Sequence, residues 1–159
     1  MEKNKIIEDL QKKFPDKIKK TCIEFGDQTL IIAKDSLLDV AKFLKNNPYA
    51  YTMLLDLTCV DFPHRQERFQ MVYHLFSLQN NHRLRIKIDI QQKDLTIDSL
   101  TSLWKNANWL EREVFDMFGI RFNRHPDMRR IFMYDGFDGY PLRKDYPLRK
   151  RQPRIKFRK

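Results

Sequence analysis

Three carboxylates within six positions, Glu111, Glu113 and Asp116, are the residues whose type and spacing come nearest to acid–base chemistry. Arg112 lies one position from each glutamate and four before Asp116, the second being the spacing of helical ion pairs, so solvated or interface pairing is the favoured reading. The histidines His64, His74, His82 and His125 never pair at metal-ligand spacing, and no Cys/His cluster offers a metal site. His74 sits inside a strand-like run and reads as a hydrogen-bonded core residue. Cys22 and Cys59 are far apart, with no Cys-x-x-Cys spacing, and are expected as two buried thiols in a reducing compartment. The glycines at 26, 119, 136 and 139 form no phosphate-binding loop. No serine or cysteine stands in a recognisable nucleophile context. The chain is therefore expected to carry no catalytic, cofactor-binding or metal-binding residues.

Charge points elsewhere. Residues 121–159 hold 13 Lys/Arg against 4 Asp/Glu, whereas the first 120 hold 18 against 17, so nearly all of the net +10 lies in the tail. Such a tail seeks acidic protein, nucleic acid or an anionic surface. Basic residues interleaved with Phe122, Phe132, Tyr134, Phe137 and Tyr140 would suit phosphate contacts and base stacking. However, Asp127 beside Arg129-Arg130 and Asp145 beside Arg143-Lys144 serve a phosphate binder poorly. With Pro126, Pro141 and Pro147, they fit an extended strap anchored on another protein better, and no nucleic-acid partner is expected.

The elements that must position these residues follow from periodicity. Ile6, Ile7, Leu10 and Phe14 recur at helical spacing before Pro15. Thr21–Phe25 and Thr29–Ala33 read as short strands joined by Gly26-Asp27-Gln28. Asp35 or Ser36 can cap a helix with Leu37, Val40, Ala41 and Leu44 on its inner face, ended by Asn46-Asn47-Pro48. Met53–Val60 is almost continuously apolar, as an interior strand covered on both faces would be. Phe69–Leu78 and Leu84–Ile90 form the clearest hairpin, with Leu84, Ile86, Ile88 and Ile90 alternating against Arg83, Arg85, Lys87 and Asp89. A short helix is expected near Asp98–Trp104. The next begins at Trp109, capped by Asn108 with Glu111 in a capping-box position, and ends at Gly119. The order of helix, two strands, helix, three strands and helices predicts a two-layer α+β domain with a mixed sheet over residues 1–120, followed by an extended basic and aromatic arm, 121–159, that packs on a partner. No apolar run reaches the roughly 18 residues of a membrane span, and the charged N-terminus lacks the apolar core of a secretory signal.

Several spaced motifs carry a family resemblance. They are Glu111-Arg112-Glu113, Asp116-Met117-Phe118-Gly119-Ile120, His125-Pro126-Asp127, Arg129-Arg130-Ile131, and Gly139 followed by Pro141-Leu142-Arg143-Lys144-Asp145-Tyr146-Pro147. Upstream, Val60-Asp61-Phe62-Pro63, Arg68-Phe69, Val72-Tyr73-His74-Leu75 and Ala107-Asn108-Trp109 add to them. Together they resemble the C-type subunit, the 30 kDa subunit family, of proton-translocating NADH:quinone oxidoreductase, respiratory complex I. Tyr140 stands where that family commonly has histidine, and Phe132 where an aliphatic residue is usual. The resemblance implies a non-catalytic subunit of the peripheral arm, with FMN, iron–sulfur clusters and quinone held by other subunits. It also implies that the C-terminal segment packs on the D-type subunit, which helps form the quinone pocket, with the B-type subunit as a further partner. Membrane contact would come only through the complex, on the cytoplasmic side of a bacterial inner membrane or the matrix side of an organellar one. The residues expected at the partner interface are Glu111, Arg112, Glu113, Asp116, His125, Pro126, Arg129, Arg130, Tyr140, Pro141, Leu142, Arg143, Lys144 and Asp145. Related scaffold subunits of membrane-bound hydrogenases and the photosynthetic NDH complex share the pattern.

Overall fold

Alternation of aliphatic with charged residues makes β5 (His82–Ile90) a strand with one apolar and one wet face. In the computed structural model, which describes residues 3–24 and 26–153, this strand is the centre of the sheet. With β1 (Ile18–Glu24), β2 (Asp27–Ile32), β3 (Met53–Asp61) and β4 (Phe69–Ser77) it forms a five-stranded sheet in the order β1-β2-β5-β4-β3. Neighbours are antiparallel except β2 and β5, which pair in parallel from Gln28 opposite Leu84 to Ile31 opposite Lys87. The sheet is mixed, as the sequence predicts.

Helices α1 (Lys3–Lys13), α2 (Leu37–Lys45) and α3 (Ala107–Phe118) supply Ile6, Leu10, Val40, Leu44 and Val114 to the same core as Leu84, Ile86, Ile88 and Ile90. They thus lie on one face, and the domain has two layers. Strands β6 (Thr96–Asp98) and β7 (Arg121–Asn123) flank α3 and pair in parallel, burying Ile97 and Phe122 against that core.

Four local expectations are corrected. Met53–Val60 is an edge strand, not an interior one. A register shift between Leu54 and Asp56 turns Leu57, Cys59 and Asp61 inward and leaves Met53, Leu55 and Val60 exposed, so a run that looks uniformly apolar serves two faces. Asp98–Trp104 is not a helix: β6 ends at Asp98, and a turn follows in which the Leu103 and Trp104 amides donate to the Leu100 carbonyl. Helix α3 starts at Ala107, before the expected Asn108 cap. The Asn106 side-chain amide instead ties the helix start to the Leu54 carbonyl at 2.8 Å, and Glu111 is drawn inward to the Leu100 amide. Between the first two strands Asp27 and Gln28 already belong to β2, so the turn is tighter than expected; Phe25 lies outside the described residues.

The body also continues past residue 120, because β7 completes the ribbon with β6. Beyond Asn123 the chain has no further helix or strand among the described residues, and residues 124–153 form a strap. The strap's side chains also find partners within the chain. Phe137 stacks on Tyr146 with ring centroids 6.1 Å apart and meets Tyr134 edge-on, while Met128 and Met133 pack against the body's core.

Candidate interface along the strap

Three anchors fix the middle of the strap to the body. The first is Asp116, fully buried on α3. One carboxylate oxygen accepts from the amides of Ile131, Phe132 and Met133 at 3.1, 2.8 and 2.8 Å, and the other accepts from Arg130 Nη1 at 3.0 Å. The Arg130 guanidinium also donates to the Gly139 carbonyl and lies near the Phe137 and Tyr140 rings. Arg112 does not pair with Asp116, as its spacing suggested; it donates to the carbonyls of Arg129 and Arg130, with the Trp109 ring beneath it.

The second anchor is Gly119. Its φ of +77° closes α3 in the left-handed conformation, and a Cβ there would stand 2.6 Å from the Tyr140 ring and 2.7 Å from Arg143. The absent side chain lets the strap lie on the helix end. Arg143 donates to the Phe118 carbonyl at 2.5 Å, between the Phe69 and Tyr140 rings, and the Leu142 amide donates to the Met117 carbonyl. Burial lowers the Arg143 pKa, which Asp145 and Tyr140 oppose.

The third anchor is the one that reading along the chain missed. Asp61, at the end of β3, receives a bidentate pair from Arg68 at 2.7 and 2.8 Å and the Lys144 amide at 2.7 Å. Arg68 then reaches Asp145 at 2.8 Å. Burial alone would raise the Asp61 carboxyl, but the Arg68 and Lys144 hydrogen bonds outweigh it and hold it below the ordinary carboxylate range. Asp145 is lowered by its Arg68 hydrogen bond. Two charged residues bracketing the β3–β4 loop were the available signal, since a loop returning antiparallel brings its ends together.

The expected interface residues thus separate. Arg112, Asp116, Arg129, Arg130, Tyr140, Pro141, Leu142, Arg143, Lys144 and Asp145 meet where the strap crosses α3 and β3. Glu113 is exposed and apart from them, and Pro126 lies in the exposed turn after β7. Glu111 and His125 have fully buried side chains in a separate pocket beneath the strap's first turn. Arg129 is exposed, closed on Asp127 by three hydrogen bonds. His74 is half-buried on the wet face of the sheet rather than in the core, and Cys22 is likewise only half-buried. On and beside the strap Trp109 (61%), Phe132 (61%), Leu142 (51%) and Leu148 (99%) remain exposed.

This two-layer fold is shared with solved structures. It matches a protein in the structure of an archaeal membrane-bound sulfane sulfur reductase with a TM-score of 0.75, covering 91% of this chain and 85% of that one at 21% identity. It also matches a trypsin-resistant fragment of Nqo5 with a TM-score of 0.67 and 28% identity, covering 78% of this chain and 97% of the fragment. Residues 30–152 match the family described as respiratory-chain NADH dehydrogenase, 30 Kd subunit, and the chain belongs to that family. It is 43% identical to the C-type subunit of NADH-quinone oxidoreductase from Geobacter sulfurreducens over 148 residues, 92% of this chain and 91% of that protein. The counterpart from Trichlorobacter lovleyi is 46% identical over 146 residues, covering 91% and 90%. No helix among the described residues is long and apolar enough to cross a membrane.

Proposed function

We propose that this chain is a non-catalytic structural subunit of the peripheral arm of an NADH:quinone oxidoreductase, and that its strap scaffolds the D-type, quinone-pocket subunit, with the B-type subunit as a further neighbour. The observation that carries the reading is the exposure of Trp109, Phe132, Leu142 and Leu148 around a strap whose own charges are largely engaged. Arg129 is closed on Asp127, Arg130 on Asp116, Lys150 on Asp138, and Arg143 on a backbone carbonyl. What the strap leaves to the outside is apolar area, the component that drives stable association. The same internal pairing argues against a phosphate-binding arm, whose arginines would stay available. The relatives are subunits of NADH-quinone oxidoreductase, which supports the choice of complex. Flavin, iron–sulfur and quinone chemistry then belongs to the other subunits, and the chain sits as a peripheral subunit on the cytoplasmic or matrix side.

The test separates folding from docking. Leu142→Ser combined with Lys144→Glu alters two exposed side chains, so the purified chain keeps its unfolding transition while recovery of assembled complex falls. Full recovery of complex with normal NADH:quinone turnover refutes the docking role. A photo-crosslinking residue at position 148 captures the quinone-pocket subunit in the intact complex; capture only of other subunits refutes that partner.

A further inference from the structure

Beneath the strap's first turn lies a polar pocket that docking does not use. Glu111 on α3 and His125 on the strap both have fully buried side chains, with Glu111 Oε2 3.9 Å from His125 Nε2. Glu111 Oε1 accepts from the Leu100 amide at 2.6 Å, while Oε2 has no hydrogen-bond partner within normal distance among the described residues. The His125 tautomer is settled by what surrounds the ring. Nε2 faces the Asn108 carbonyl at 3.1 Å, which can only accept, and Nδ1 faces the Asp127 amide at 3.0 Å, which can only donate. Nε2 therefore carries the proton, and Nδ1 holds the backbone of the strap.

We propose that Glu111 and His125 form a buried protonation latch, in which ionisation of Glu111 draws the His125 N–H from the Asn108 carbonyl onto Oε2 and shifts the strap's first turn. A neutral carboxyl tolerates a buried oxygen without a donor, whereas a buried carboxylate does not. His125 Nε2–H is a donor less than 1 Å beyond hydrogen-bond reach of Oε2. Moving the ring carries Nδ1 with it, and the Asp127 amide follows. Burial raises the Glu111 carboxyl to about 7, with the Ser99 hydroxyl and Leu100 amide opposing the rise, so the switch falls near neutrality.

Three other titratable groups lie near the pocket. Tyr73 comes from β4 with its hydroxyl buried, and burial, with Glu111 nearby, raises its pKa well above the ordinary phenol value. Cys59 on β3 is raised to about 12, chiefly by burial. Asp98 at the end of β6 is engaged by Arg124 at 2.8 Å and by Asn123. No Lys or Arg side chain hydrogen-bonds to Glu111 among the described residues.

The experiment is a pH titration of the labelled full-length chain from pH 5 to 8.5, following the Glu111 carboxyl carbon and the Leu100 and Asp127 amides by NMR. The expected result is one common midpoint near 7 for all three. Glu111→Gln removes the Leu100 and Asp127 transitions. Titration of Glu111 in the ordinary carboxylate range overturns the latch, as does movement of Leu100 without Asp127. Persistence of the Asp127 transition in Glu111→Gln also overturns it, because the transition would then not depend on Glu111. The wild-type titration decides the first two outcomes even if the variant fails to fold.

Discussion

Asp116→Ala tests whether the strap is held from the helix or merely rests on it. The substitution leaves three backbone amides and the Arg130 guanidinium without their acceptor. Removing one partner of a buried pair costs about 3–5 kcal/mol. Each stranded amide could add about 1–3 kcal/mol, but the strap is partly exposed and water recovers most of that once it lifts. The attachment should therefore weaken by about 4 kcal/mol, close to a thousandfold in the local opening equilibrium. Every lost bond lies between α3 and the strap, so the sheet is not the element that yields. In hydrogen-exchange mass spectrometry the peptide spanning residues 131–133 should exchange up to about a thousandfold faster, while β4 and β5 keep their protection. Unchanged exchange at 131–133 in a folded variant would refute the anchoring argument. Simultaneous loss of protection in β4 and β5 would show that strap and body unfold as one unit, which also defeats it.

Further expectations concern the other anchors and the buried carboxyl. Arg68→Ala strands Asp61 and should cost about 3–5 kcal/mol at pH 7 in urea unfolding. Because Asp61 and Asp145 are held below their ordinary values, their contribution is present above the unfolded carboxylate pKa and is lost as pH falls through the depressed values, so the wild-type and variant curves should converge as the pH falls below them. Gly119→Ala meets both a left-handed backbone and the Tyr140 and Arg143 side chains, and should destabilise the fold by at least the strain alone, about 1–2 kcal/mol, seen as a lower melting temperature. Glu111→Gln removes a group whose folded pKa is raised: the stability that protonated Glu111 contributes is full below about 4.5 and is lost as pH rises to about 7, by about 3 kcal/mol in all, so the difference between the wild-type and variant curves should change by that amount across the window.

Legibility in the sequence tracked how local each cause is. The alternation along β5, the apolar stripe of α2 and the glycine ending α3 are set by neighbours within a turn or a pleat, and each appears where the pattern places it. The edge position of β3 was hidden because its register shift lets one apolar run serve two faces. The short helix expected before α3 lost to the β6–β7 ribbon, whose partner strand lies 25 positions further on, as in Thr96 opposite Arg121. At the interface, the residue types were visible but their partners were not. Arg112 and Asp116 have the spacing of a helical pair, yet both turn to strap backbone that offers more hydrogen bonds. Asp61 and Arg68 could be placed only once the return of β4 was known.

The parallel pairing of β2 with β5 sets the order in which the chain can be completed. Gln28 already faces β1, but it must wait for Leu84, a partner 56 positions downstream, before the second edge of its strand is covered. On a translating ribosome the β1–β2 hairpin emerges first and stays an open-edged fragment until β5 follows. The local β4–β5 hairpin can form beforehand and offer it a template. Newly made chain is thus most vulnerable to sticking and proteolysis in its first third, and a chaperone would have to shield that stretch rather than the basic C-terminus.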